Sequence, residues 1–230
     1  MLVNSINITS YNATLMKKDI QTATVTIFDD WLRNAVNPLY LGKQEMYKRL
    51  KLRLLIKNST DELCIINISN FIKQLEVCTI KFDGLSFYYD CTLVSQNHTR
   101  FKKGWYALDV ELKAPCAYIP KMYGSQGGYD THAITVGGNQ PTSCVISLTS
   151  VNASTLTVNV AGQIYVISNI TGLPNITIDG ELCKVLSGTA NKFGDTVMAQ
   201  FPILNLGSNL ITISTSAFNY FSCTYKERYI

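Results

Sequence analysis

The stretch from Tyr47 to Leu75 constrains this chain most, because the hydrophobic period changes there from 2 to 3.6 across a helix-start signal. Leu50, Leu52, Leu54 and Ile56 alternate with Lys51, Arg53 and Lys57, the pattern of a half-buried strand. Ser59-Thr60-Asp61-Glu62 follows, with a serine three residues before a glutamate. That spacing predicts a capping box, the serine oxygen taking a free backbone N–H while the glutamate reaches back. Cys64, Ile68, Phe71, Ile72 and Leu75 then fall on one helical face. The reading is one strand leading straight into one helix, the core of a first domain. No other helix is signalled as well, and nearly everything else reads as strand.

Downstream, Asp83-Gly84 separates Thr79–Phe82 from Leu85–Val94. This dipeptide predicts a hairpin, since both turn residues tolerate positive φ. Ser95 to Gly104 is polar and basic and reads as a loop; Trp105 to Lys113 reads as a strand burying Tyr106, Leu108, Val110 and Leu112. Upstream, Gln21 to Phe28 alternates, and Asp29-Asp30-Trp31-Leu32 predicts a turn or one helical turn that ends before Asn37-Pro38. Residues 119–141 hold Gly124, Gly127-Gly128, Gly137-Gly138 and Pro141 without apolar periodicity, and are expected to be a linker. The expected domains are therefore 1–118 and 142–230. From Cys144 onward, eight short strands with turns at Asp179-Gly180 and Gly207-Ser208-Asn209 predict a β-sandwich. The fold class is mainly β with one helix.

Composition closes off several functions. A hydrophobic content of 47% with 16% charged residues is that of a folded chain. The net charge of +4 is scattered, not gathered on one face, so nucleic-acid binding is not expected. No apolar run reaches the about 18 residues of a membrane span, and membrane insertion is not expected. Met1 to Ser5 does not read as a signal peptide. The eight N-x-S/T sequons, Asn67 among them within the helix, then read as chance in a chain rich in Asn, Ser and Thr. The seven cysteines include no C-x-x-C and lie in apolar settings, as at Cys64, Cys91, Cys144 and Cys183; buried free thiols are expected.

Catalytic patterns are missing from the sequence. The two histidines, His98 and His132, have no metal-ligand spacing, and there is no G-x-S-x-G elbow. The glycines of 119–141 lack the Gly-Lys-Ser/Thr and following helix of a phosphate loop. Spacing does not address a Cys–His couple, which is assembled in space, but a thiol in apolar surroundings is poorly reactive. The chain is not expected to be an enzyme, and no cofactor or metal is expected.

The last third carries a recognisable run. Ile176-Thr177-Ile178-Asp179-Gly180 precedes Phe201-Pro202-Ile203-Leu204-Asn205-Leu206-Gly207-Ser208-Asn209-Leu210-Ile211-Thr212-Ile213, and the chain ends Cys223-Thr224-Tyr225-Lys226-Glu227-Arg228-Tyr229. Val136-Gly137-Gly138-Asn139 leads through Pro141 into Cys144. These residues, with the strand–helix–hairpin order of Tyr47–Lys113, resemble the distal tail protein family of long-tailed bacteriophages. The ending departs from the family's more usual Arg-Trp-like finish. The resemblance implies a ring-forming, split-barrel-like first domain, usually hexameric, and a galectin-like β-sandwich second domain. It implies a structural hub in the virion's tail tip or baseplate, assembled in the host bacterial cytoplasm. Its implied partners are copies of itself, the tail tube protein, the tail-tip protein and a receptor-binding protein. The alternative reading is a carbohydrate-binding module for cell-wall glycan, resting on Trp31, Trp105, Tyr118, Tyr123 and Tyr129; aromatics also fill interfaces. Trp31, Trp105, Leu63 and Ile66 are the expected interface residues. The last two lie off the buried stripe of the helix, beside Asn67, Asn70 and Lys73.

Overall fold

The computed structural model describes residues 1–33, 36–127, 131–214 and 217–230. The chain divides into two units, Met1–Ala117 with Ile230, and Tyr118–Tyr229.

The first unit begins with short strands β1 (Leu2–Val3) and β2 (Ile6–Asn7), then β3 (Ala13–Ile20). A hairpin of β4 (Val25–Asp30) and β5 (Leu39–Glu45) follows, then β6 (Lys48–Lys57), α1 (Asp61–Leu75), β7 (Val77–Lys81), β8 (Tyr88–Lys102) and β9 (Trp105–Ala114). The antiparallel order is β3-β6-β9-β8-β7-β1-β2, while β4 and β5 pair only with each other. Leu50, Leu52, Leu54 and Ile56 are buried, as the alternation requires, together with Leu108, Val110 and Leu112 of β9. Helix α1 lies against β6, β8 and β9, burying Cys64, Ile68, Phe71 and Leu75. Phe71 meets Tyr11 with ring centroids 5.2 Å apart. A large aromatic so enclosed contributes about 3–5 kcal/mol relative to alanine.

Three local expectations change here. The helix cap is Thr60, not Ser59: its hydroxyl accepts from Leu63 N–H at 3.2 Å. The third helical residue is then Leu63, so Ser59 and Glu62 form no capping box. Asp61 instead accepts from Gly104 N–H at 2.6 Å and pairs with Arg100 at 2.7 Å. The polar segment from Ser95 is not a loop, since β8 continues to Lys102 and pairs with β9 down to Lys102↔Trp105. Its residues are exposed on both faces, which removes the alternation while the backbone ladder persists. And Cys183 is exposed, at φ 55°, whereas the other six cysteines are buried.

The second unit contains β10 (Ala117–Gln126), β11 (Thr131–Val136), β12 (Thr142–Thr149), β13 (Leu156–Val160), β14 (Gln163–Ile167), β15 (Ile176–Asp179), β16 (Lys184–Ser187), β17 (Ala190–Asn191), β18 (Thr196–Val197), β19 (Ile203–Leu204), β20 (Gly207–Ile213) and β21 (Tyr220–Tyr229). One sheet runs β17-β16-β15-β12-β21-β10, the other β11-β20-β13-β14-β18. Ile146, Leu148, Ile178 and Phe221 of the first share a core with Val158, Tyr165, Ile167 and Ile211 of the second. The segment 119–141 is therefore not a linker. β11 has full period-2 burial and pairs with β20 from Thr131↔Thr212 to Val136↔Gly207. Its glycines allow close approach rather than flexibility: a Cβ at Gly137 would meet the Glu227 carboxylate at 2.8 Å. Gly128 lies outside the described residues.

Candidate assembly surface

The β4–β5 hairpin exposes apolar residues on both faces. Every residue of β4 is exposed, and so are Leu39, Tyr40 and Leu41 of β5. Successive strand residues point to opposite sides, so Val25 and Ile27 share one face and Phe28 lies on the other. Trp31 is 63% exposed just past β4, with Leu32 beside it and Val36 before β5. The register Asp29↔Tyr40 and Asp30↔Leu39 puts an acidic pair at the far end. Lys43 Nζ bonds Glu45 Oε1 at 2.6 Å, which holds the ammonium pKa above its ordinary value. A two-stranded hairpin is marginal in water on its own, and exposed apolar clusters of this kind are uncommon on monomers. Sequence periodicity missed β5. The Leu39-Tyr40-Leu41 run after Pro38 was the signal available, and Gly42 interrupts it.

The other expected interface residues lie elsewhere in the first unit. Trp105 is half-buried at the start of β9, with Lys57 Nζ and Lys102 Nζ each 4.0 Å from its ring centroid. It lines a groove of about 300 Å³ with Met16, Leu55, Phe101 and Ala107. Leu63 and Ile66 are exposed on α1, and Ile65 joins them. A second groove, of about 470 Å³, crosses the sheet over Lys17, Asp19, Lys51, Arg53, Asp109 and Glu111. Its charges neutralise one another across strands, with Arg53 Nε 3.5 Å from Asp109 Oδ1.

The described tyrosines offered for sugar binding, Tyr118 and Tyr123, are packed against neighbouring side chains. Tyr118 is buried beneath Lys226 Nζ at 4.7 Å. Tyr123 stands edge-on to His132 and Phe221 at 5.9 and 6.1 Å. Tyr129 lies outside the described residues. His132 is buried flat on Phe221, ring centroids 4.0 Å apart, and His98 lies beside Tyr106. Among the described residues no cluster of three or more His, Cys, Asp or Glu is placed to hold a metal. No described helix is long and apolar enough to cross a membrane.

The motifs of the last third hold turns together. Asp179 Oδ1 accepts from the N–H groups of Glu181 and Leu182 at 2.9 and 2.8 Å, turning the chain at Gly180. Asn209, 3% exposed, accepts from Asn205 N–H at 2.8 Å and donates to the carbonyls of Asn205 and Gly207 at 2.7 and 3.0 Å. Gly207 takes the positive φ, 83°, and Asn209 fastens the loop with its amide.

No family model and no curated protein sequence matches the chain. Solved structures do. It is similar to the Dit protein (gp 19.1) of phage SPP1, described as a paradigm of the hub adsorption apparatus of phages infecting Gram-positive bacteria. That match has TM-score 0.76 at 8% identity over 100% of this chain and 98% of that one. It is also similar to chains of the phage P2 baseplate in its activated conformation. With Ca the TM-score is 0.63 at 11% identity, covering 96% and 92%; with Sr it is 0.61 at 11%, covering 94% and 92%. The resemblance read from the last third and the likeness of the whole fold meet in the same proteins: the chain has the fold of the phage Dit and baseplate hub proteins.

Proposed function

We propose that this chain is a structural hub subunit of a phage tail tip. In this reading several copies close a ring, six in number, that joins the tail tube to the tail-tip protein and receptor-binding apparatus. The observation that carries the proposal is the β4–β5 arm, an apolar hairpin that its own sheet does not pair, on a fold shared with hub proteins. Residues 1–118 carry ring formation, and residues 142–230 form the β-sandwich domain. Exposed Leu63, Ile65 and Ile66 on α1 form a second contact between neighbouring subunits. The protein acts in the virion, after assembly in the host cytoplasm, and does no catalysis.

Negative-stain imaging of the purified chain, alone and mixed with tail-tube and tail-tip proteins encoded beside it, tests this. Rings that capture both partners support the reading. A monomer that captures neither contradicts it. Changing Leu63 and Ile66 together to Ser weakens ring formation while leaving the far-UV circular dichroism unchanged; normal rings would make α1 a core element only.

A further inference from the structure

The groove around Trp105 is shaped by two irregularities in the sheet. The β3–β6 register slips between Leu15 and Lys17, and the β8–β9 register slips between Arg100 and Lys102. The extra residues at these slips are Met16 and Phe101, 62% and 60% exposed. A bulge re-aims a side chain that alternation would otherwise place. Here two bulges on separate strands set large apolar side chains beside Leu55, Ala107 and Trp105, in one groove of about 300 Å³. Leu55 faces opposite to Leu54 and Ile56, so the groove opens on the Leu55 side of β6, where Leu54 also borders it. Cations rim it: Arg53 on β6, which also pairs with Asp109 at 3.5 Å, and Lys57 and Lys102 over the indole of Trp105.

The far end of the arm has the complementary chemistry. Asp29 and Asp30 immediately precede Trp31 and Leu32, and all four are exposed. We infer that the Asp29–Leu32 corner of one copy seats in the Trp105 groove of a second copy, the indole and leucine filling it and the aspartates meeting Arg53 and Lys102. This rests on the ring reading and names the paired surfaces behind it.

The occupant is another copy because the arm leads away from its own groove. The arm leaves the sheet where Ile20 pairs with Leu50, whereas the groove lies by Thr14↔Leu55. Along β6, three residues separate Leu50 from the groove's Arg53 and five separate it from Leu55, roughly 10 to 17 Å. Gln21 N–H bonds Arg49 O at 2.8 Å and Met46 N–H bonds Thr24 O at 2.9 Å, so the base of the arm continues the ladder outward. Arm into groove is a head-to-tail contact, different surfaces on the two partners, and such contacts generate rings or filaments.

The test uses the full chain with p-benzoylphenylalanine in place of Trp31, mixed equally between 14N- and 15N-labelled protein and irradiated. The inference expects cross-links between differently labelled chains, landing on peptides that contain Met16, Leu55, Phe101 or Trp105. It also expects D29K/D30K to lower the assembled fraction at least tenfold, and D29K/D30K/R53E/K102E to restore it, with melting temperatures showing that each variant folds. Rings whose cross-links land elsewhere, or whose assembly ignores these charges, overturn the pairing and leave the ring reading standing. A wild-type chain that stays monomeric overturns both.

Discussion

Cys78 and Cys91 stand directly opposite one another across the β7–β8 ladder, both buried. Opposed residues of an antiparallel pair have Cα atoms about 4.5–5.5 Å apart, inside the range a disulfide spans. The hydrogen bond with Cys78, and then burial, push the Cys91 thiol far up, and the same hydrogen bond draws the Cys78 thiol down. Cys144 and Cys223 also hydrogen-bond, but Cys144 is opposite Tyr225 and Cys223 opposite Ile146. Such diagonal neighbours lie about 7–8 Å apart, too far without backbone movement. Diamide, which takes two thiol hydrogens as the S–S bond forms, should therefore link Cys78 to Cys91 and leave Cys144 and Cys223 free. A shallow pocket of about 230 Å³ lined by both Cys78 and Cys91 gives it access. Peptide mapping under non-reducing conditions checks this; a Cys144–Cys223 link appearing first would contradict the register argument.

The identity of the helix cap separates two readings of one tetrapeptide. Thr60→Ala should cost about 1 kcal/mol in urea unfolding, the usual price of a lost N-cap. Ser59→Ala should lie within about 0.5 kcal/mol of wild type. The reverse order would restore the capping box.

The fold was legible where burial is one-sided. The alternation of Leu50–Ile56 and the helical stripe of α1 have one wet and one dry face and form as read; strands also form after Cys144, but Gly207-Ser208-Asn209, expected as a turn, opens β20, and Leu182-Cys183 lie outside β16. It failed where burial does not alternate. The outer half of β8 is exposed throughout and β5 nearly so, so neither period is imposed on them, while β4 alternates in sequence yet is exposed on both faces. The stretch 119–141 was obscured by glycines chosen for close approach, although His132, Ile134 and Val136 did carry the alternation of β11. Trp31 and Trp105 could be singled out as anchors by residue type alone. That Met16 and Phe101 join Trp105 depends on two bulges, and a register slip leaves no mark in a single sequence.

The Ile-Asp-Gly and Gly-Ser-Asn motifs should respond as packing elements. A Cβ at Gly180 would lie 2.6 Å from Pro202 O and 2.8 Å from Cys144 O, both backbone atoms. Gly180→Ala is expected to cost about 1–3 kcal/mol through overpacking. Asn209→Ala leaves buried backbone groups without their partner and should cost a similar amount, about 1–3 kcal/mol. Chemical denaturation of the full chain measures both; values near zero would show that the turns relax freely.

Tyr165 is fully buried, and its hydroxyl has no hydrogen-bond partner among the described residues. Burial, with Cys144 adding to it, pushes its pKa up to about 12. The folded state thus holds this proton after the unfolded chain has released it near pH 10. The sign follows from linkage: Tyr165 favours unfolding increasingly as pH rises from about 10 to 12. Tyr165→Phe should raise stability at neutral pH by about 1 kcal/mol and flatten the alkaline decline. Thermal melts of both proteins from pH 7 to 11 check it, and a destabilised phenylalanine variant would reveal a partner for the hydroxyl.

The ring is most directly tested by native mass spectrometry of the purified full chain beside a variant whose residues 22–46 are replaced by a short Gly-Ser turn. The account predicts a closed species six times the 25.6 kDa chain for the wild type, and a folded monomer for the armless variant. A wild-type chain found only as monomer at tens of micromolar, or an armless variant that still closes rings, would contradict it.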